Sequence, residues 1–251
     1  MRLFAAGLAV FLSIAPVSAG AGDLPEDFVR LRDIDSTISQ DIRYAGPHNF
    51  IGVPVDGYLR AECWLTRPAA LALKGVQDDL RAQGGGHSLI VFDCYRPQRA
   101  VDHFVRWAAD PADTLTRAEF YPDLDKRDLF RLGYIAERSG HSRGSTVDVG
   151  LTGPGARPAQ PYRAGQALTA CTAPYRERFA DGGLDLGTGY DCFDSRSHPA
   201  STEVGAEARE NRRILAEAME ARRFVGIAEE YWHFTLRDEP YPDRRFDVPV
   251  E

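Results

Sequence analysis

Ser139-Gly140-His141-Ser142-Arg143-Gly144-Ser145-Thr146-Val147-Asp148, continued by Val149-Gly150-Leu151, sets one imidazole and one carboxylate seven positions apart across small, turn-prone residues. From Thr146 onward polar and apolar side chains alternate, the pattern of a half-buried strand. That alternation turns Val147, Val149 and Leu151 toward a core and leaves Asp148 facing a cleft. A loop flanked by Gly140 and Gly144 can fold His141 back beside the strand, so that both side chains reach one ion. Two such donors do not complete a zinc site: a third protein ligand is needed, and a catalytic ion keeps one position open. The segment Glu229-Glu230-Tyr231-Trp232-His233-Phe234 supplies candidates, His233 as third ligand and Glu230 as general base. Residues i and i+3 of a regular strand point to opposite faces. This reading therefore requires a bend between Glu230 and His233, and a strand that begins at or after Tyr231.

The remaining chain reads as the scaffold for those two segments. Residues 1–19 have the pattern of a secretory signal peptide: Arg2, an apolar run from Leu3 to Ile14, and a small-x-small site at Val17-Ser18-Ala19. That apolar core is short for a membrane span, and no later segment is long and apolar enough for one. The mature chain, residues 20–251, is expected to be soluble and exported, reaching the periplasm in a cell with an outer membrane. Its roughly 230 residues contain no Pro/Ser-rich linker, repeat or low-complexity run, which favours one domain. The formal charge of −7 without basic clusters argues against nucleic acid or anionic lipid as a partner. Cys63, Cys94, Cys171 and Cys192 suit two disulfides in an oxidising compartment, with three pairings open.

Thr66 followed by Pro68 is a helix start, with Leu71, Leu73, Val76 and Leu80 forming an apolar stripe to about Arg81. After Gly84-Gly85-Gly86, the run Ser88 to Tyr95 reads as a buried strand. It ends at Arg96, placed to enter a cleft or to form a surface ion pair, and a helix follows from Gln98 to about Ala109. Pro111 and Pro122 break residues 110–138 into short pieces, and residues 152 to about 200 form a long irregular section. Glu203 to Phe224 reads as a helix stopped by Gly226, then a strand from Tyr231 to Leu236 and a polar tail over the surface.

Amide hydrolysis at zinc needs three protein ligands, water, a base and a group to stabilise the oxyanion. His141, Asp148 and His233, with Glu230 and Arg96, meet that requirement. Spacing alone leaves a metal site and ordinary structural histidines level, because His-x6-Asp is less specific than His-Glu-x-x-His. The conjunction of Ser-x-His-Ser-Arg-Gly-Ser-x-x-Asp (139–148), Asp-Cys-Tyr-Arg-Pro (93–97) and Glu-Tyr-Trp-His-Phe (230–234) is more specific. Together with Val55-Asp56-Gly57-Tyr58, Tyr190-Asp191, Asn211-Arg212-Arg213 and Leu236-Arg237-Asp238-Glu239-Pro240-Tyr241-Pro242, it resembles the zinc D-alanyl-D-alanine dipeptidases in collinear order.

The resemblance implies a compact α+β domain, a small antiparallel sheet flanked by helices, shared with zinc D,D-carboxypeptidases and the Hedgehog signalling domain. It implies one zinc ion on His141, Asp148 and His233, Glu230 as general base, and Arg96 as the transition-state arginine. Asp191, Tyr44 and Ser139 match positions lining a small dipeptide pocket, with Asp191 suited to a substrate ammonium. On sequence alone, Tyr44 would otherwise be read as packing. The same resemblance, with proximity along the chain, pairs Cys63 with Cys94 and Cys171 with Cys192, each worth about 3–4 kcal/mol in the chain-entropy model. The implied activity is hydrolysis of D-Ala-D-Ala. A D,D-carboxypeptidase acting on longer muropeptides and a zinc-stabilised binding module are the rival readings. The section Thr152 to Tyr190 is longer than the family core requires and is expected to narrow the mouth of the site or to widen substrate choice.

Overall fold

Strand β5 (Thr146–Thr152) forms the centre of the molecule in the computed structural model, which describes residues 23–167 and 169–251. The signal peptide expected at residues 1–19 lies outside the described residues. Four further strands complete its sheet: β2 (Ser39–Gln40), β4 (Ser88–Asp93), β6 (Phe224–Gly226) and β7 (His233–Leu236), in the order β2-β4-β5-β7-β6. A separate antiparallel ribbon joins β1 (Phe28–Arg30) to β3 (Trp64–Thr66). The helices are α1 (Leu31–Ile34), α2 (Arg67–Ala82), α3 (Gln98–Ala109), α4 (Arg117–Phe120) and α5 (Ala206–Ala221). The result is a single α+β domain, as expected, but its sheet is mixed: edge strand β2 runs parallel to β4, whereas every other pair is antiparallel.

Alternation along β5 has the expected effect. Val147, Val149 and Leu151 are fully buried in the main core with the inner faces of α2 and α5. Each such side chain contributes about 1.5–3 kcal/mol when removed from water. Helix α2 starts with Pro68 in its first turn and buries Leu73, Val76 and Leu80. Leu71, assigned to that stripe from sequence, is instead exposed, and Ala69 and Ala70 take the inner positions. Gln77 is buried with both ends of its amide used, accepting from Leu89 N at 2.9 Å and donating to Ser88 Oγ at 2.7 Å.

A second, smaller cluster covers the opposite face: Ile90, Phe92 and Trp232 meet Leu186, Tyr190 and Tyr231. Residues 184–193 are thus laid across the sheet by burial of aromatic surface. Both disulfides pair as expected, Cys63–Cys94 beside β3 and β4, and Cys171–Cys192 within the long irregular section. They suit an oxidising compartment. Among the described residues no helix is long and apolar enough to cross a membrane.

One sequence expectation is corrected here. The last long helix ends at Ala221 rather than Phe224, and Arg223, at φ 69°, turns the chain into β6. Phe224 gains a cross-strand partner in Leu236, and this pairing overrides local helix propensity. The carboxy-terminal tail lies over the surface as expected and is anchored there: Phe246 and Val250 are buried, and Val250 pairs with Tyr58.

The turn before β5 depends on Gly144, held at φ 83°. A Cβ there would stand 2.2 Å from the Phe28 ring. Gly144→Ala should therefore lower stability by at least the ~1–3 kcal/mol of a left-handed backbone at a non-glycine residue, measurable by urea unfolding. An unchanged midpoint would mean that the β1–β3 ribbon yields freely.

Candidate active site

Antiparallel register places Asp148 of β5 directly opposite His233 of β7, where side chains on one face are close enough to share a ligand. On the other side of β5, the ladder with β4 slips between Val91 and Asp93, a bulge that sets Asp93 beside Asp148. One row across three strands therefore carries Asp93, Asp148 and His233. His141 reaches the row from a 3₁₀ turn, His141–Arg143, closed by Gly144 N donating to His141 O at 3.0 Å. Its Nδ1 lies 2.7 Å from Cys94 O. A carbonyl can only accept, so Nδ1 carries the proton and Nε2 presents its lone pair to the site.

Three atoms converge there. His141 Nε2 and His233 Nδ1 each lie 3.2 Å from Asp148 Oδ1, and 3.3 Å from one another. Ligands held at about 2.0 Å around a tetrahedral ion are separated by about 3.3 Å, so the triangle has the edge lengths such an ion needs. Asp148 Oδ1 is buried with no hydrogen-bond donor, a costly state for a carboxylate oxygen unless a cation meets it. The residues fit a divalent metal.

Glu230 follows the requirement drawn from sequence. β7 begins only at His233, and the turn at Tyr231-Trp232 brings Glu230 Oε2 to 3.7 Å from His233 Nδ1. Burial, reinforced by Asp148 and Asp191, pushes its carboxyl well above the usual carboxylate range. Arg96 enters from the end of β4. Asp93 Oδ2 accepts from its Nε at 2.9 Å and pairs with its Nη2 at 2.8 Å, and the guanidinium lies 5.0 Å from the ring centres of Tyr44 and Phe104. Of the two sequence readings of Arg96, the cleft is the one realised. Tyr44 is buried and donates to Asp191 Oδ2 at 2.9 Å. Asp191 stands at φ 58° beside the Cys171–Cys192 bond, and burial with the Asp148 charge raises its carboxyl to about 8. Ser139 Oγ accepts from His141 N at 3.2 Å and borders the same space.

Tyr44, Arg96, Ser139, Asp148, Asp191, Glu230 and His233 line one cavity of about 200 Å³, smaller than the roughly 300–1,000 Å³ of pockets for drug-sized ligands. Residues 133–136, 138 and 140 and Ile227 also line it. None of the described residues between Thr152 and Tyr190 lines it, which does not support the first of the two expectations for this section, a narrowed mouth. Residues 158–162 instead wall a separate hollow of about 670 Å³ at the β2 edge, where Tyr162 stacks on the buried His48.

Several contributors were not assigned roles from sequence. Asp93 holds Arg96 and accepts from Tyr58 at 2.6 Å; its only local sign is an aspartate three residues before the arginine. Arg212 lies on the buried face of α5, where its guanidinium donates to the carbonyls of Leu186, His198 and Arg196 and covers Tyr231. It fastens the loop that carries Asp191 to the helix. His48, which has no evident partner in the sequence, is paired with Glu119 at 2.9 Å.

The donor triangle, with an acid and an arginine beside it in a small cavity, defines the chain as a metallopeptidase. The Peptidase M15 family, described as D-ala-D-ala dipeptidase, matches residues 25–157 and 163–251, and the chain belongs to it. A D-alanyl-D-alanine dipeptidase of Streptomyces coelicolor is 39% identical over 224 residues, covering 89% of this chain and 98% of that protein. One of Enterococcus faecalis is 36% identical over 223 residues, with the same coverage of 89% and 98%. One of Escherichia coli is 28% identical over 210 residues, covering 84% of each chain.

Asp93→Ala would leave the Arg96 guanidinium buried without its close carboxylate. Unpairing a buried charge costs about 3–5 kcal/mol, and urea unfolding should register a loss of that order. A loss below about 1 kcal/mol would mean that Arg96 re-pairs with Asp148, now 3.6 Å away.

Proposed function

We propose that the chain is a zinc-dependent dipeptidase that hydrolyses D-Ala-D-Ala to two D-alanines in cell-wall peptide metabolism. The supporting observation is the triangle of His141, Asp148 and His233 atoms with an orphaned carboxylate oxygen, opening on a cavity of about 200 Å³. Zinc on those three residues would supply Lewis acidity at the scissile carbonyl and acidify water.

The other roles belong to this chain's own side chains. Glu230 takes a proton from the attacking water and returns it to the leaving amine, a task suited to a carboxyl whose pKa is raised by burial. Arg96 offers its guanidinium to the negative charge growing on the carbonyl oxygen, and Asp93 holds it in place beforehand. Asp191, oriented by Tyr44, pairs with the substrate ammonium, and Ser139 hydrogen-bonds the substrate. Glu230, Arg96, Asp191, Tyr44 and Ser139 all border the cavity. Its small volume favours a free dipeptide over a longer muropeptide.

The two disulfides and the sequence of residues 1–19 support export after removal of a signal peptide, to the periplasm in a cell with an outer membrane. The mature domain would then comprise residues 20–251.

Glu230→Ala should keep its zinc, read by elemental analysis, while turnover falls by about 10²–10⁴-fold; near-normal rates would remove Glu230 from the mechanism. His141→Ala should lose the metal itself, and unchanged zinc content would break the ligand assignment.

The decisive assay follows alanine release from D-Ala-D-Ala, L-Ala-L-Ala and a pentapeptide ending in D-Ala-D-Ala, with a chelator control. Chelator-sensitive cleavage of D-Ala-D-Ala alone is expected. Cleavage of the pentapeptide would make the protein a D,D-carboxypeptidase, and no release from any of the three would make it a binding module.

A further inference from the structure

Asp148 divides its two oxygens between different tasks. Oδ1 faces the two imidazole nitrogens, whereas Oδ2 accepts from the Tyr190 hydroxyl at 2.8 Å. The nearest other cation to Oδ2 is Arg96 Nη2 at 3.6 Å, already paired with Asp93 at 2.8 Å. Tyr190 is therefore the close donor to that oxygen, and it sits at the end of a rigid mount. Its ring stacks on Phe92 with centres 4.6 Å apart and meets Trp232 edge-on at 5.4 Å. Phe92 lies at the β4 bulge, and Trp232 immediately precedes His233. The phenol is thus fixed by β4 and by the turn that leads into β7, both of which help to place the donor row. Beyond it, the Tyr44 hydroxyl lies 3.3 Å from that of Tyr190 and donates to Asp191.

We propose that Tyr190 is a positioning residue for the metal, its hydroxyl tying down Asp148 Oδ2 so that the carboxylate offers the ion only Oδ1. The inference rests on the metal reading given above. A carboxylate with both oxygens free can rotate about its terminal torsion, which has a broad energy profile, and can present either oxygen or both. A hydroxyl bonded to one oxygen removes that freedom before the ion arrives. It also gives the buried Oδ2 a donor that no other group among the described residues supplies at hydrogen-bonding distance. Groups that orient metal ligands in this way typically change metal affinity by about 10–100-fold. The two phenols further connect the metal carboxylate to the carboxylate assigned to the substrate ammonium, so Tyr44 serves as a control that touches the second and not the first.

The test measures the zinc dissociation constant of the purified protein by competition with a chromogenic chelator, for wild type, Tyr190→Phe and Tyr44→Phe. The phenylalanine at position 190 retains the stacked ring and deletes one oxygen. Tyr190→Phe should bind zinc at least about 10-fold more weakly, while the urea midpoint of the metal-free protein stays near wild type. Tyr44→Phe should hold zinc within about two-fold of wild type and raise KM for the dipeptide. Unchanged zinc affinity in Tyr190→Phe would overturn the proposal. So would an equal loss in both variants, or a loss that only tracks a fall in metal-free stability, since either would assign Tyr190 to packing alone. Wild-type protein that bound no zinc would refute the metal reading itself, and this inference with it.

Discussion

The cross-strand pairing of Asp148 with His233 is the constraint on which the molecule depends. A slip of one residue in this register would turn one of the two strands over, sending either Asp148 or His233 into the main core that holds Val149, Leu151 and Phe234. Register is protected by those apolar neighbours, which are buried only in the observed pairing. It is also protected by the threonine pair two positions along, Thr146 and Thr235, whose hydroxyls lie 2.9 Å apart. The main core and the candidate site are thus opposite faces of one ladder, and the stability of the first maintains the geometry of the second.

The charges around that ladder form a graded arrangement. Asp148 is held well below the usual carboxylate range: burial opposes its ionisation, and the His141 and His233 imidazoles outweigh it. Asp191 and Glu230 are pushed upward, by burial first and then by that nearby charge. Carboxyl groups of one chemical type thereby acquire different protonation tendencies within one small cavity, as a site needs if one is to ligate and another to exchange protons. Arg96, locked by Asp93, is the buried cation that keeps these acids together. Polar groups packed this densely are stable only when each has a partner, and the hydroxyls of Tyr44, Tyr58 and Tyr190 provide those partners.

The segment carrying Asp191 has no regular secondary structure to hold it. Its position comes from the Cys171–Cys192 bond, the three carbonyls gripped by Arg212, and the aromatic contacts of Tyr190. Such mounting explains how a long irregular section remains compatible with a defined site. It also leaves the section free to accept residues 158–162, which lie outside the family match and gather at the β2 edge away from the donor triangle.

Much of this architecture was legible in the order of residues. Alternation in 146–151, the Pro68 helix start and the Gln98–Ala109 helix depend on neighbours in the chain, and local periodicity reports them directly. The need for a bend between Glu230 and His233 followed from strand geometry, and β7 begins where that argument requires. The donor types were legible for the same reason, since the chemistry of an imidazole or a carboxylate belongs to the residue. What only the tertiary structure decided is which distant groups meet. Strand β6, the parallel edge β2 and the bulge before Asp93 arise from pairing between remote segments, and no short window of sequence encodes them. The hydrogen bond from Tyr190 to Asp148 spans 42 residues and that from Tyr44 to Asp191 spans 147. A tyrosine reads as packing until its hydroxyl is seen against a carboxylate, because its ring satisfies the apolar pattern whether or not its oxygen has work to do.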